Sequence, residues 1–198
     1  MTSYTAFNGV TQVAHGPLER VVAAAKEAFD GSRTSLVLIF DAATGEQIDA
    51  DYSGTPAEVL RGVSAREARR TAPAEPELST PRGPGRPRLG VVPREVTLLP
   101  RHWQWLNSQP GGASVALRKL VDEARRSSVG RDRVRRAQEV SYRVMTALAG
   151  DLPGFEDALR ALFARDLHAF DRHVASWPAD VRDYARQLAA PALAGGTA

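Results

Sequence analysis

The side chains of this sequence best suited to do chemistry are its arginines. Residues 61–150 hold 18 basic and 8 acidic side chains, a local charge of +10, between −5 over residues 1–60 and −2 over residues 151–198. Only Lys26 and Lys119 of the 26 basic residues are lysines. A basic stretch between acidic flanks suits a polyanion, because each cation that meets a phosphate releases a condensed counterion. Arg82, Arg86 and Arg88 are interleaved with Gly83, Pro84, Gly85 and Pro87. An extended backbone carrying arginine fits the narrow minor groove of A·T tracts, where the negative potential is deepest. Arg94, Glu95 and Thr97 follow on an alternating segment, and such side chains can meet phosphates or base edges; a glutamate accepts from the amino group of cytosine. Gly112 lies in the break before the next helix and Ser114 caps it; the free amides and positive dipole end there can hold a phosphate, with Arg118 one turn further on.

Other chemistries find less support. The absence of cysteine excludes a disulfide framework, a thiolate zinc site and a thiol nucleophile. His168 and His173 are five apart and do not share a helix face, while His15 and His102 are scattered. Asp41, Glu46, Asp49 and Asp51 cluster on one hairpin. Asp49 and Asp51, alternate residues of a strand, could bind a hard cation or seat a metal-dependent reaction, but calcium-loop spacing is absent and a solvated acidic edge is the simpler reading. That acidic surface could also compete with DNA for the basic segment. No Ser/His/Asp order, Walker loop or dinucleotide fingerprint occurs. The expectation is a protein that is not an enzyme, with no cofactor and no metal. The longest wholly apolar run, Leu36 to Phe40, is far below the roughly 20 residues of a membrane span. The Met1-Thr2-Ser3-Tyr4-Thr5 start has neither a basic nor an apolar stretch, so a cytoplasmic protein without membrane contact is expected.

The elements that must position these residues follow from periodicity. With 43% apolar residues the chain can bury a core. The fold class expected is α+β, in four regions: an N-terminal α+β domain at 1–62, a Pro/Gly/Arg-rich linker at 63–93, a strand-helix-helix unit at 94–128 and a C-terminal helical region at 129–190. Tyr4 to Phe7 and Val10 to Ala14 flank Asn8-Gly9 and read as a hairpin. Pro17 to Phe29 is a helix with Leu18, Val21, Val22, Ala25 and Phe29 on one stripe. Leu36 to Phe40 is a buried strand, and Gln47 to Tyr52 returns from a turn at residues 42–45. Thr55-Pro56-Ala57-Glu58 caps and opens a short helix. Six prolines over residues 71–93 exclude helix and central strand. Arg94 to Leu99 is a strand and Pro100 to Ser108 a helix. Pro110-Gly111-Gly112 breaks the chain, and Ser114 caps a helix with Leu117, Leu120, Val121 and Ala124 at i, i+3, i+4, i+7. A new helix starts at Arg131, where Arg131, Arg133, Arg135 and Arg136 oppose the helix dipole unless a phosphate or Asp132 relieves them. Further helices follow from Asp151 and Pro178. Trp103 and Trp105 cannot share a helix face.

A lone strand before two helices has unpaired edges on both sides, and a second copy of the chain is the direct remedy. The strand Arg94–Leu99, the Pro100 helix start, the glycine turn and the 117/120/121/124 stripe resemble the ribbon-helix-helix dimer. That resemblance implies a homodimer through residues 94–99, a two-stranded ribbon in the major groove of double-stranded DNA, and a phosphate at the second helix. Alternation puts Val96 and Leu98 inward and Glu95 and Thr97 in the groove; the family register, anchored on the proline, favours the opposite face. Burying Glu95 would be costly, so the first arrangement is adopted. Arg82-Gly83-Pro84-Gly85-Arg86-Pro87-Arg88 resembles an AT-hook, although Pro84 stands where that motif has arginine. From Tyr4-Thr5-Ala6-Phe7 through Leu38-Ile39-Phe40-Asp41, Gly85-Arg86-Pro87-Arg88, Leu98-Leu99-Pro100-Arg101-His102-Trp103 and Gly111-Gly112-Ala113-Ser114, the whole chain resembles an uncharacterised bacterial domain-of-unknown-function family. This implies a bacterial source and little chemistry.

The function expected is therefore sequence- or A·T-preferring DNA binding, as a transcriptional regulator or a nucleoid-associated architectural protein of the cytoplasm. The alternative is a protein-interaction module, antitoxin-like or adaptor, without nucleic acid.

Overall fold

A computed structural model describes residues 2–31, 36–71 and 94–194. The described chain is α+β and helix-rich, and it divides into two compact units: residues 1–71 with 131–198, and residues 72–130.

The first unit is built on a four-stranded antiparallel sheet in the order β2-β1-β3-β4. Its strands are β1 (Tyr4–Asn8), β2 (Thr11–Gly16), β3 (Val37–Asp41) and β4 (Gln47–Ile48). The expected hairpin is present, one residue displaced. Asn8 pairs with Thr11, so the two loop residues are Gly9 and Val10. Gly9 has φ +60 and Val10 does not share the left-handed region, the sign pattern of a type II′ turn, which asks for glycine first. A bulge between Ala6 and Phe7 shifts the register of this pair.

Period-two alternation divides the sheet between two cores. Tyr4, Ala6, Val37 and Ile39 point to helix α1 (Leu18–Gly31), whose Val21, Val22 and Ala25 are buried. Val59 and Val63 of α2 (Pro56–Thr71) close that core. The α2 start is capped as its sequence predicts: the Glu58 carboxylate accepts from the Thr55 amide at 2.7 Å and its hydroxyl at 2.8 Å. Phe7, Leu38 and Phe40 face the other way, into a core with Val144, Phe170, Trp177 and Tyr184 of the C-terminal helices.

Those helices are the last part of α4 (Gly112–Ala149), then α5 (Phe155–Ala164), α6 (Leu167–Val174) and α7 (Ala179–Leu193). Asp166 caps α6 by accepting the Ala169 amide at 2.9 Å, and the Trp177 indole donates to the Pro153 carbonyl at 3.0 Å. The N-terminal and C-terminal regions, read from sequence as separate, thus share one core. A sheet with Phe7, Leu38 and Phe40 on its second face must have that face covered, and α2 runs on to Thr71, past the boundary expected at residue 62.

The second unit contains α3 (Pro100–Asn107) and the first part of α4. Two expectations are corrected here, those on the Ser114 cap and on a new helix at Arg131. Residues 94–99, expected to pair with a second copy, form no strand within one chain, where no second edge lies beside them among the described residues to supply ladder hydrogen bonds. Ser114 is not the cap of α4, which begins at Gly112, so Ser114 stands in its first turn. No break separates 126 from 131: α4 runs continuously for 38 residues, about 57 Å at the usual rise. Ser127, Ser128 and Gly130 lower helix propensity by only about 1 kcal/mol each and none is proline. The Ser127 hydroxyl returns to the Ala124 carbonyl at 3.1 Å. Arg131, Arg133, Arg135 and Arg136 therefore lie in mid-helix, where the dipole cost expected of a helix start does not arise.

Candidate nucleic-acid interface

Residues 94–130 bury little. Leu106 and Ala116 are their only buried side chains, and residues 118–127 of α4 are exposed all round. Val96, Leu99, Trp105 and Val121 are each 50–54% exposed. Trp103 and Trp105, which cannot share a helix face, both reach solvent.

Of the residues singled out from sequence, Arg94, Glu95 and Thr97 are exposed ahead of α3. Of the two side chains expected to point inward, Leu98 does and Val96 does not. Leu98 lines an apolar groove of about 270 Å³ with His102, Trp105, Leu106, Leu117 and Leu120. Gly112 opens α4 with φ +75, a conformation that suits glycine. Ser114 and Arg118 are joined, since the Arg118 Nε donates to the Ser114 carbonyl at 3.0 Å. This contact draws Arg118 back over the first turn of α4. Arg82, Arg86 and Arg88 lie outside the described residues.

Arg94, Arg101, Lys119, Arg125 and Arg126 are exposed, and among the described residues none is held in an ion pair. Further along α4, Arg135 meets Asp132 at 3.0 Å and Glu139 at 3.9 Å.

The acidic hairpin of the first unit is occupied by the protein itself. The Asp41 carboxylate is buried; it accepts the Ala43 amide at 2.8 Å and the Arg70 guanidinium at 3.1 Å. Arg70 also pairs with Glu46 and Glu67. Burial, and then the nearby Asp41, push the Glu67 carboxyl above its ordinary range. Asp51 turns to Ser53, whose side-chain and backbone hydrogen bonds hold it below the usual carboxylate range. No group of three or more histidine or acidic side chains among the described residues could hold a metal ion. A cleft of about 450 Å³ lies beside Arg70, lined by Phe40, Gly45, Glu46, Tyr142 and Arg143.

Sequence reasoning missed the groove and the Arg70 hub. The groove was legible in part, since Leu98, Trp105, Leu117 and Leu120 are apolar and closely spaced. Arg70 fell in a region read as linker, and its three partners are brought to it only by the β3–β4 turn and α2. No helix among the described residues is long and apolar enough to cross a membrane.

Residues 3–189 match the family described as "Uncharacterized protein conserved in bacteria" (DUF2239), and the chain belongs to that family. No curated protein and no solved structure matches it.

Proposed function

We propose that this member of the bacterial family is a homodimeric DNA-binding protein, a transcriptional regulator or nucleoid-type architectural protein of the cytoplasm. Two copies pair residues 94–99 as an antiparallel ribbon for the major groove, and the arginines at 82, 86 and 88 enter an adjacent minor groove. Glu95 and Thr97 meet base edges; Arg94, Arg118 and the Gly112–Ser114 helix start meet phosphates. The body formed by the first unit serves as an oligomerisation or sensing module.

One observation carries this reading. Residues 94–130 expose apolar and cationic side chains together while burying only Leu106 and Ala116. A unit with so small a core needs an additional surface to be stable, and its unpaired cations suit phosphate.

Electrophoretic shifts with A·T-rich, G·C-rich and single-stranded probes test it. If about six phosphates are neutralised, log affinity falls against log salt with a slope of about −5. Arg86→Ala weakens A·T-rich binding, and Thr97→Ala changes sequence preference. Binding that stays flat with salt, or is absent on every probe, refutes the proposal.

The apolar groove favours a second reading, a protein-interaction module without nucleic acid. Recovery of one stoichiometric protein and no DNA from a pull-down would select it.

A further inference from the structure

We infer that the cleft between the β3–β4 turn and α4 binds a free α-amino acid with an apolar side chain, its carboxylate on Arg143 and its ammonium on Glu46. This gives the sensing role proposed for the first unit a ligand. The coupling to DNA rests on that proposal; the binding itself does not.

Backbone fixes the walls of the cleft. Gly45, with φ +67, lets the turn approach α4 so closely that a Cβ there would stand 2.7 Å from the Val140 carbonyl oxygen. Beyond that contact, α4 presents Tyr142, Arg143, Thr146 and Ala147 along the cleft, neighbours on one helix face. The volume of about 450 Å³ falls among small-molecule sites, which run from about 300 to 1,000 Å³.

Two opposite charges of the lining are tied to a single residue of the turn. The Arg143 Nη1 donates to the Thr44 carbonyl at 2.7 Å, and the Thr44 hydroxyl donates to the Glu46 Oε2 at 3.4 Å. Arg143 and Glu46 nevertheless do not pair with each other, and among the described residues Arg143 has no ion-pair partner. A molecule carrying both charges bridges them. Its carboxylate accepts from the nitrogens of Arg143 that Thr44 leaves free, and its ammonium donates to Glu46.

Arg70 does not use up the charge of Glu46. That guanidinium faces Asp41, Glu46 and Glu67, three carboxylates to one cation, so negative charge is in excess. Glu46 is the carboxylate a ligand can reach, with its side chain 45% exposed against 6% for Asp41 and 12% for Glu67. A simple anion in the cleft would meet Glu46 and a simple cation would meet Arg143, a repulsion that selects against both. Phe40, the half-exposed ring of Tyr142, and Ala147 supply apolar wall for the ligand's side chain.

The test is titration calorimetry on the full chain without DNA. Phenylalanine and leucine are expected to bind saturably. Phenylpropionate, which lacks the ammonium, phenethylamine, which lacks the carboxylate, and glycine, which lacks the side chain, are each expected to bind about tenfold more weakly or worse. Glu46→Gln should weaken phenylalanine about tenfold and leave phenylpropionate unchanged, whereas Arg143→Gln should weaken phenylalanine and leave phenethylamine unchanged. A purely structural role for either side chain would not divide the ligands by charge. Ala147→Phe, at an exposed position of α4, fills the cleft and should abolish binding. No saturable binding of phenylalanine or leucine, singly charged analogues that bind as tightly, or full affinity in Ala147→Phe overturns the inference. Binding with these signatures that leaves every DNA shift unchanged overturns only the sensing role.

Discussion

Gly45 offers a quantitative test of how the two ends of the chain join. It lies in the turn between β3 and β4 with φ +67, and a Cβ built there would stand 2.7 Å from the Val140 carbonyl oxygen and 3.0 Å from the Val140 Cα. Gly45→Ala therefore meets two penalties. The left-handed conformation costs an L-residue about 1–2 kcal/mol. The contact falls on helix backbone, which has no rotamer to escape into, and overpacking of this kind costs about 1–3 kcal/mol. The expected loss is about 2–5 kcal/mol. Gly9→Ala is the open-space control: its φ is +60 and nothing lies within 4 Å of the added atom, so it carries a conformational cost and no steric one. Urea unfolding of the parent and both variants, compared by midpoint at constant slope, separates the steric part. Equal losses at Gly45 and Gly9 would refute the seating of the β3–β4 turn on α4.

Leu162→Ala removes a fully buried side chain from the core shared by sheet and helices, at about 2–5 kcal/mol. Amide protection of β3 should fall with that of α5 in hydrogen exchange; unchanged β3 protection would mean that the two regions fold apart. Arg70→Met leaves buried Asp41 without its guanidinium, beside Glu46 and Glu67. With Arg70 partly exposed, a loss of about 2 kcal/mol is expected, and urea denaturation at neutral pH reads it. Hydrogen bonds from Thr55 hold Glu58 below its ordinary value of 4.5. Its stabilisation is thus complete above 4.5 and disappears as pH falls through the lower folded value. Glu58→Gln should be less stable than the parent at neutral pH and indistinguishable from it in strong acid; a difference independent of pH would contradict the capping role.

The fold was most readable where local physics decides. The stripe Leu18, Val21, Val22, Ala25 marks α1 because one helix face must be apolar wherever it packs. Thr55 with Glu58 marks the start of α2 because those groups satisfy amides within the same turn. Gly9 marks a hairpin, although its exact loop position depended on the register against β1. Likewise the i, i+3, i+4, i+7 spacing of Leu117 to Ala124 announced an apolar face before any neighbour was known.

Long-range questions needed the folded chain. Nothing local in Phe7, Leu38 and Phe40 says that Val144, Phe170 and Tyr184, more than a hundred residues away, will cover them; that contact depends on which buried surfaces fit. The continuity of α4 through Ser127 to Gly130 arose in the same way. Propensity there is weak in either direction, and helix on both sides carries the backbone through. Residues 94–99 mark the opposite case: their alternation is that of a strand, but a strand consists of hydrogen bonds to an edge, and the described residues of one chain supply none to them. Local patterns thus assigned most elements because their causes lie within a few residues, whereas the assignment of each surface to a partner rests on distant side chains that only the assembled fold brings into contact.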